Sequence, residues 1–315
     1  MGIRDYDGNP VAGGGGASDF GVTDYSIFTD DSGNAARQAT LTYQGRSLYP
    51  RNYPQQRRDF VRSYGGGVML TLGDSYTAYL NAAFGRFAQA HGLVQDNRGL
   101  ARSTIAGSSY HDIGYRPFWE RLDEAIAQYQ AEGGYTIDGT AYTPEDVKLI
   151  TFMGGANDWS TVNETTDRLG KGPHETDKAK LYGALNYIFN ALLKTFTNAD
   201  IVVILQPMYP TGTVPIDEAG AKNVGFESLA QAQEMTDVQY SNYTMARKEM
   251  IVREMAERYC LTICDCCFGW HNPINPIDRE KYWITNDGHL NDAGNTSLIE
   301  RLETVVNNLP TSRSG

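Results

Sequence analysis

Three short polar clusters carry residue types able to open an acyl bond. Gly73-Asp74-Ser75 follows the apolar run VMLTL (68–72). A serine at a strand-to-helix turn points its own N–H into a region where a helix N-terminus favours developing negative charge. Its hydroxyl is a weak nucleophile until a neighbouring base takes the proton. Ser and Asp are also preferred helix caps, so the cluster read alone fits that plainer role equally well. Gly155-Ala156-Asn157-Asp158 follows VKLITFM (147–153). Glycine admits close approach of backbone to a ligand, and an amide such as Asn157 donates to an oxyanion, worth roughly 3 kcal/mol where measured. The same residues also suit an ordinary turn. Asp287-Gly288-His289-Leu290-Asn291 supplies a base, one of only five histidines. An Asp close in sequence fixes the tautomer of such a histidine. A capping cluster for the following helix is the alternative.

To act together, these clusters must be carried to one place by the elements between them. From Val68 onward, short apolar runs alternate with helical patterns, as in a parallel sheet flanked by helices. Strands are expected at 68–72, 93–97 (LVQDN), 147–153, 201–205 (IVVIL) and within LTICDC (261–266). Helices are expected at 77–91, 117–130 and 291–307. Two more carry the stripes Leu181, Leu185, Ile188, Leu192 and Ile251, Met255, Tyr259. The fold class is α/β, with a five-stranded, mainly parallel sheet. Ligands bind such sheets where loops leave the carboxyl ends of the strands, and each cluster falls at such an end.

Residues 1–64 differ. They are rich in Gly, Asp, Tyr and Arg, with acids early, arginines late and the run Gly13 to Gly16. An extended arm or small β-rich appendage is expected there, or a solvated linker, joined through Gly65-Gly66-Gly67 to a domain of residues 65–315. The chain holds 27 Lys and Arg against 38 Asp and Glu, a net charge of −11. That balance disfavours nucleic acid and anionic membrane surfaces as partners. No run approaches the roughly 20 apolar residues of a spanning helix, so no membrane insertion is expected. The opening MGIRDYDGNPVAGGGG lacks the apolar core of a secretory leader. The protein is expected to stay where it is made, to leave by lysis or assembly, or to have lost a leader. Its four cysteines, Cys260, Cys264, Cys266 and Cys267, crowd together. A disulfide framework would spread them, and a zinc site would pair them as C-x2-C. They read as small hydrophobes of a buried strand.

Taken in order, LTLGDSYT, NRGLARSTIAGSS, ITFMGGANDW and NDGHLNDAG resemble the four sequence blocks of the SGNH/GDSL hydrolase family. YGALNYIFNALLKTF followed by IVVILQP is similar to the helix and fourth strand common in it, and the likeness spans about residues 68–308. The resemblance implies a three-layer α/β/α fold and a serine acyl-enzyme mechanism without metal or organic cofactor. Ser75 would be the nucleophile, His289 its base, and Asp287 the acid that orients the base. The oxyanion would be held by the Ser75 N–H, the Asn157 side chain and a backbone N–H of the second block. With Ser103-Thr104 aligned to that block, the donor falls at Arg102, where the family carries glycine; Gly99 and Gly107 are the fallback donors. The family spaces acid and base as D-x-x-H, whereas here Asn286 holds the usual acid position and Asp287 lies one residue nearer.

Asp74, Trp159 and Trp283 are candidates for substrate contact, the two tryptophans as platforms for sugar rings. The loop from Pro207 to about Thr236 is long enough to be a lid or binding surface. The expected substrate is an acylated carbohydrate losing acetyl or short acyl groups. A carbohydrate-binding or structural module with a decayed site, and a lysophospholipase or thioesterase, are the alternatives. Members resembling this chain, with a glycine-rich amino-terminal arm, are bacteriophage-encoded esterases attached to virions, so residues 1–64 are expected to dock to a larger assembly.

Overall fold

The computed structural model describes residues 61–107, 116–158, 169–208, 237–268, 270–271, 276–284 and 288–309, together with the backbone of strands at 20–29, 35–43 and 46–48. The chain divides into two units, Met1–Phe60 and Val61–Gly315. In the first, β1 (Phe20–Thr29), β2 (Ala35–Tyr43) and β3 (Arg46–Leu48) form an antiparallel sheet in that order.

Residues 61–64, which composition groups with the arm, are tied to the second unit. The Tyr64 N–H donates to the His91 carbonyl (3.0 Å). The Arg62 guanidinium and the Tyr64 hydroxyl both reach Asp200, at 2.8 and 3.1 Å. Gly65, Gly66 and Gly67 follow with φ of 70°, 118° and 103°, a run that side-chain-bearing residues rarely adopt.

Five strands build the central sheet: β4 (Val68–Gly73), β5 (Val94–Gly99), β8 (Val147–Met153), β9 (Asp200–Leu205) and β10 (Thr262–Asp265). A small hairpin, β6 (Tyr135–Ile137) and β7 (Thr140–Tyr142), precedes β8 and was not foreseen. The sheet order is β10-β9-β8-β4-β5, with every pairing parallel. The chain runs outward from β4 to β5, then crosses back to β8. The switch point of this doubly wound sheet therefore lies between the carboxyl ends of β4 and β8, where a crevice opens.

Seven helices are described: α1 (Ser75–Tyr79), α2 (Asn81–Ala90), α3 (Phe118–Gln130), α4 (Leu181–Thr195), α5 (Asp237–Arg258), α6 (Pro276–Tyr282) and α7 (Asp292–Val306). The strands are apolar on both faces because both are covered. Val68, Leu70, Leu72, Ile150, Phe152, Ile201, Val203 and Leu205 pack beneath α3, α4 and α5. Met69, Leu149, Val202, Ile204 and Cys264 turn the other way, onto α2 and α7. An irregularity between Val68 and Met69 pairs them with Val147 and Leu149, so Lys148 is the extra residue. It sends Val147 and Leu149 to opposite cores, though period-two spacing alone would put them on one face. Three of the four cysteines are buried within these cores, as small hydrophobes would be.

The first turn of α1 packs directly on β4. A Cβ placed on Gly73 would collide with the Thr77 hydroxyl and come within 2.5 Å of the Met153 carbonyl. Gly73→Ala is therefore expected to lower unfolding free energy by about 1–3 kcal/mol through overpacking, read by urea denaturation.

Candidate active site

Asp74 caps α1. One carboxylate oxygen accepts from the Tyr76 N–H (3.0 Å), the other from the Ala156 N–H (3.3 Å), and the Gln206 amide donates to both at 3.1 and 3.0 Å. Those partners lie just beyond β4, β8 and β9, so one carboxylate joins three strand ends. Burial raises the Asp74 pKa, and the hydrogen bonds from Gln206, Tyr76 and Ala156 oppose the rise. The expectation that Asp74 touches substrate is corrected, because the side chain is wholly buried behind the turn that it holds.

Ser75 occupies the first position of α1. Its Oγ lies 2.8 Å from His289 Nε2, across 214 positions of sequence. His289 sits beside Leu290, which with Trp283 closes a clasp. The two ends of the clasp pair as an antiparallel bridge. The Ile284 N–H donates to the His289 carbonyl (2.9 Å) and the Asn291 N–H to the Tyr282 carbonyl (3.0 Å). The Tyr76 hydroxyl donates to the Gly288 carbonyl, fastening the clasp to α1. The cap of α7 is Asn291, whose Oδ1 accepts from the Gly294 N–H (3.0 Å). His289 is thereby relieved of the capping role that sequence left open. Trp283 is buried within the clasp, so it offers no face to a sugar, and that expectation too is corrected. Asp287, Asn286 and Trp159 lie outside the described residues, as does 209–236, nearly all of the expected lid.

On the other side of Ser75, Ala156–Asp158 forms a single 3-10 turn after β8. It is entered through Gly155, whose φ of 129° only glycine tolerates well. The Asn157 amide donates to the Ser103 carbonyl (3.0 Å), which orients it. Asp158 accepts from the Ile105 and Ala106 N–H groups at 2.8 and 3.0 Å, pinning the second-block loop against the third. Burial pushes its carboxyl up to about 6 against the pull of the Lys248 ammonium. Arg102 adopts φ of 63° and is exposed. That left-handed conformation gives a physical reason for glycine at the equivalent family position. The fallback donors are withdrawn. The Gly99 N–H is taken by Asn97 Oδ1 (2.7 Å) and that of Gly107 by the Lys178 carbonyl (3.1 Å).

Three buried charges behind the site went unnoticed in the sequence. Arg121 donates to the carbonyls of Gly73 (2.8 Å) and Arg98 and to Ser103 Oγ (2.9 Å), binding the Ser75 turn to the second-block loop. Burial lowers its pKa to about 10. Lys248 donates to the Gly155 carbonyl (2.6 Å), and burial pulls its ammonium down to about 8. Glu249 Oε2 accepts from the Gln206 N–H (2.9 Å), and burial holds its carboxyl well above the usual range. A readable signal existed. Arg121 lies on the α3 stripe with Phe118, Leu122, Ala125 and Tyr129, and Lys248 and Glu249 precede Ile251 and Val252 by one turn on α5. A charge on an apolar stripe is buried with partners or not at all.

Within this cluster two cations, Arg121 and Lys248, face three carboxyls, Asp74, Asp158 and Glu249, and the attraction of Lys248 offsets only part of the cost of burying Glu249. Glu249 Oε1 and Gln206 Oε1 are both buried without a donor, and both lie within 4 Å of the point where a Cβ would stand on Gly155. A proton on Glu249 would bring a donor to this pair of oxygens.

The family comparison can be set on this geometry. The model of the GDSL-like Lipase/Acylhydrolase family matches residues 71–296. The chain belongs to that family. It is accordingly a GDSL-type acylhydrolase, a carboxylic ester hydrolase with the family's α/β fold. No curated protein matches it. One solved structure is 20% identical over 78% of this chain and 98% of its own, with a TM-score of 0.50. A protein from Lactobacillus plantarum is 18% identical over 78% and 95% of the two chains, with a TM-score of 0.49. An acetyl xylan esterase from Geobacillus stearothermophilus is 16% identical over 80% and 99%, with a TM-score of 0.44. At such identities the likeness is one of fold. Among the described residues no helix is long and apolar enough to cross a membrane.

The charge balance around Glu249 generates a prediction with a definite sign. A carboxyl raised in the fold holds a proton that the unfolded chain releases, so its contribution to stability falls as pH rises above the unfolded value near 4.5. Glu249→Gln keeps the shape and the donor but does not titrate. Its stability relative to wild type is expected to grow as pH rises above that point, by at most about 1.4 kcal/mol per pH unit and only until the folded carboxyl ionises, measured by urea denaturation between pH 4.5 and 7.5. A constant difference would mean that Glu249 is ionised in the fold.

Proposed function

We propose that this acylhydrolase works through Ser75 and removes acetyl or other short acyl groups from carbohydrate. The observation that carries the reading is the 2.8 Å separation of Ser75 Oγ and His289 Nε2, the distance at which an imidazole takes a hydroxyl proton as the oxygen attacks. The Ser75 oxygen adds to the ester carbonyl while His289 accepts its proton. His289 then protonates the departing alcohol as the carbonyl re-forms, leaving an acyl-serine. Water, deprotonated by the same imidazole, adds to that ester and releases the carboxylic acid and free Ser75. Asp287 is assigned to orient His289, with Asn286 as the alternative.

The oxyanion falls to the Ser75 N–H, the Arg102 N–H and the Asn157 amide. In support, a first-turn N–H has no acceptor within its own helix, and the Asn157 amide is oriented by its bond to Ser103. A small acyl group is favoured because Ser75 is only 8% exposed, with Asp74, Tyr76 and Ala156 buried around it. A separate amino-terminal unit with its own sheet, glycine-rich and segregated in charge, supports the further reading of attachment to a larger assembly such as a phage particle.

Turnover of p-nitrophenyl acetate tests the core of this reading. Ser75→Ala and His289→Ala are expected to lower kcat at least about 10³-fold, since members of such a pair fail together, with circular dichroism unchanged. Inert wild-type protein would return the chain to the binding-module reading. A preference for long acyl chains over acetate would keep the mechanism and replace the substrate with a lipid or thioester.

A further inference from the structure

The site has two unlike sides. The loops that hold the Asn157 amide and the Arg102 backbone pack with α3 through Ile105, Ala106 and Phe118. His289 is set between Gly288 and Leu290, and Leu290 packs with Trp283 and Tyr76 in the core beneath α2 and α7. Because His289 protonates the departing oxygen, the alcohol half of the ester must lie towards the α2–α7 layer. Tyr79 stands there. It follows Ser75 by four residues, one helical turn, so the two side chains share a face of α1. Its ring meets the His289 ring edge-on, 4.5 Å between centroids, and remains 61% exposed. An aromatic residue left so open beside a catalytic base has an apolar face to offer a ligand.

A groove of about 680 Å³ opens from Tyr79 and runs between α2 and α7. Ala82, Ala83 and Ala90 keep its α2 wall low. The rest of the lining sets the apolar Phe87 and Ile299, with His91, beside a polar and mainly acidic group, Asp292, Asn295, Thr296, Glu300 and Glu303, against the one guanidinium of Arg86. Ten residues of α2 span about 15 Å, more than one sugar ring requires. An acyl tail laid here would strip water from charged groups and return no hydrogen bonds. A polyhydroxylated chain would satisfy those groups and rest a ring face on Tyr79.

Building on the esterase reading above, we infer that Tyr79 and the α2–α7 groove form the binding site for the alcohol half of the substrate, a neutral or amino-sugar oligosaccharide. The excess of carboxylates disfavours a polyuronate.

The test compares kcat/KM for p-nitrophenyl acetate with that for O-acetylated xylo-oligosaccharides of one to four units and for an O-acetylated oligogalacturonate. In wild type the oligosaccharide value is expected to rise at least tenfold from one unit to three and to exceed that of the galacturonate. The ratio of trimer to p-nitrophenyl acetate is expected to fall about tenfold in Tyr79→Ala, through KM, and to return in Tyr79→Phe. Ala82→Trp, a surface change that narrows the groove, is expected to remove the length dependence. Turnover of p-nitrophenyl acetate with no length dependence, or a ratio unmoved in both Tyr79→Ala and Ala82→Trp, would overturn the groove while sparing the esterase. No turnover of p-nitrophenyl acetate would instead remove the esterase reading itself.

Discussion

The carboxylate of Asp74 accepts hydrogen bonds from Tyr76, Ala156 and Gln206, groups that leave three neighbouring strands. In a parallel sheet the carboxyl ends diverge into separate loops, and nothing in the ladder itself fixes those loops relative to one another. A buried acceptor shared among them does. Ser75 follows Asp74 directly, so the turn that presents its hydroxyl is held by the same oxygens. Gln206 passes the constraint on to Glu249 and α5, and Arg121 repeats it for the loop after β5. The cluster is costly to bury and consistent only when its protons and charges balance.

Much of the fold was legible because the sheet is covered on both sides. Continuous apolar runs then mark strands directly, and β8 was placed at its observed limits. The paired residues of the site were legible for a different reason. Ser75 and His289 sit in polar clusters at strand ends, where packing demands neither type. Burial is what the motifs conceal. Asp74 and Trp283 have types that serve ligands as readily as cores, and only three-dimensional packing decides between them. Arg121, Lys248 and Glu249 were hidden inside helices recognised by their apolar stripes, although the stripes themselves were interrupted by charge. The helix expected at 77–91 is in fact α1 and α2, divided at Leu80. The break turns Tyr79 to the end of a helix beside His289, a placement that periodicity through the segment would not give.

The division of labour follows the layers. The loops assigned to the oxyanion lie towards one face of the sheet, and His289 and the open ring of Tyr79 towards the other. On the proposed reading, the acyl and alcohol halves of an ester would meet separate parts of the chain. The acyl side would lie against strand ends that the fold itself requires, and the alcohol side along α2 and α7, whose outer residues are not needed for the core. Substrate range on the alcohol side can therefore drift without disturbing the nucleophile.

His289 is not carried by the sheet. It sits in a clasp of a few residues, closed by the Trp283–Leu290 bridge and a handful of backbone bonds. Both ends of that clasp, Trp283 and Leu290, are buried in the core beneath α2 and α7, so opening it means withdrawing a tryptophan from packed surroundings. On heating, His289 should therefore keep its place beside Ser75 until that layer of the domain itself gives way.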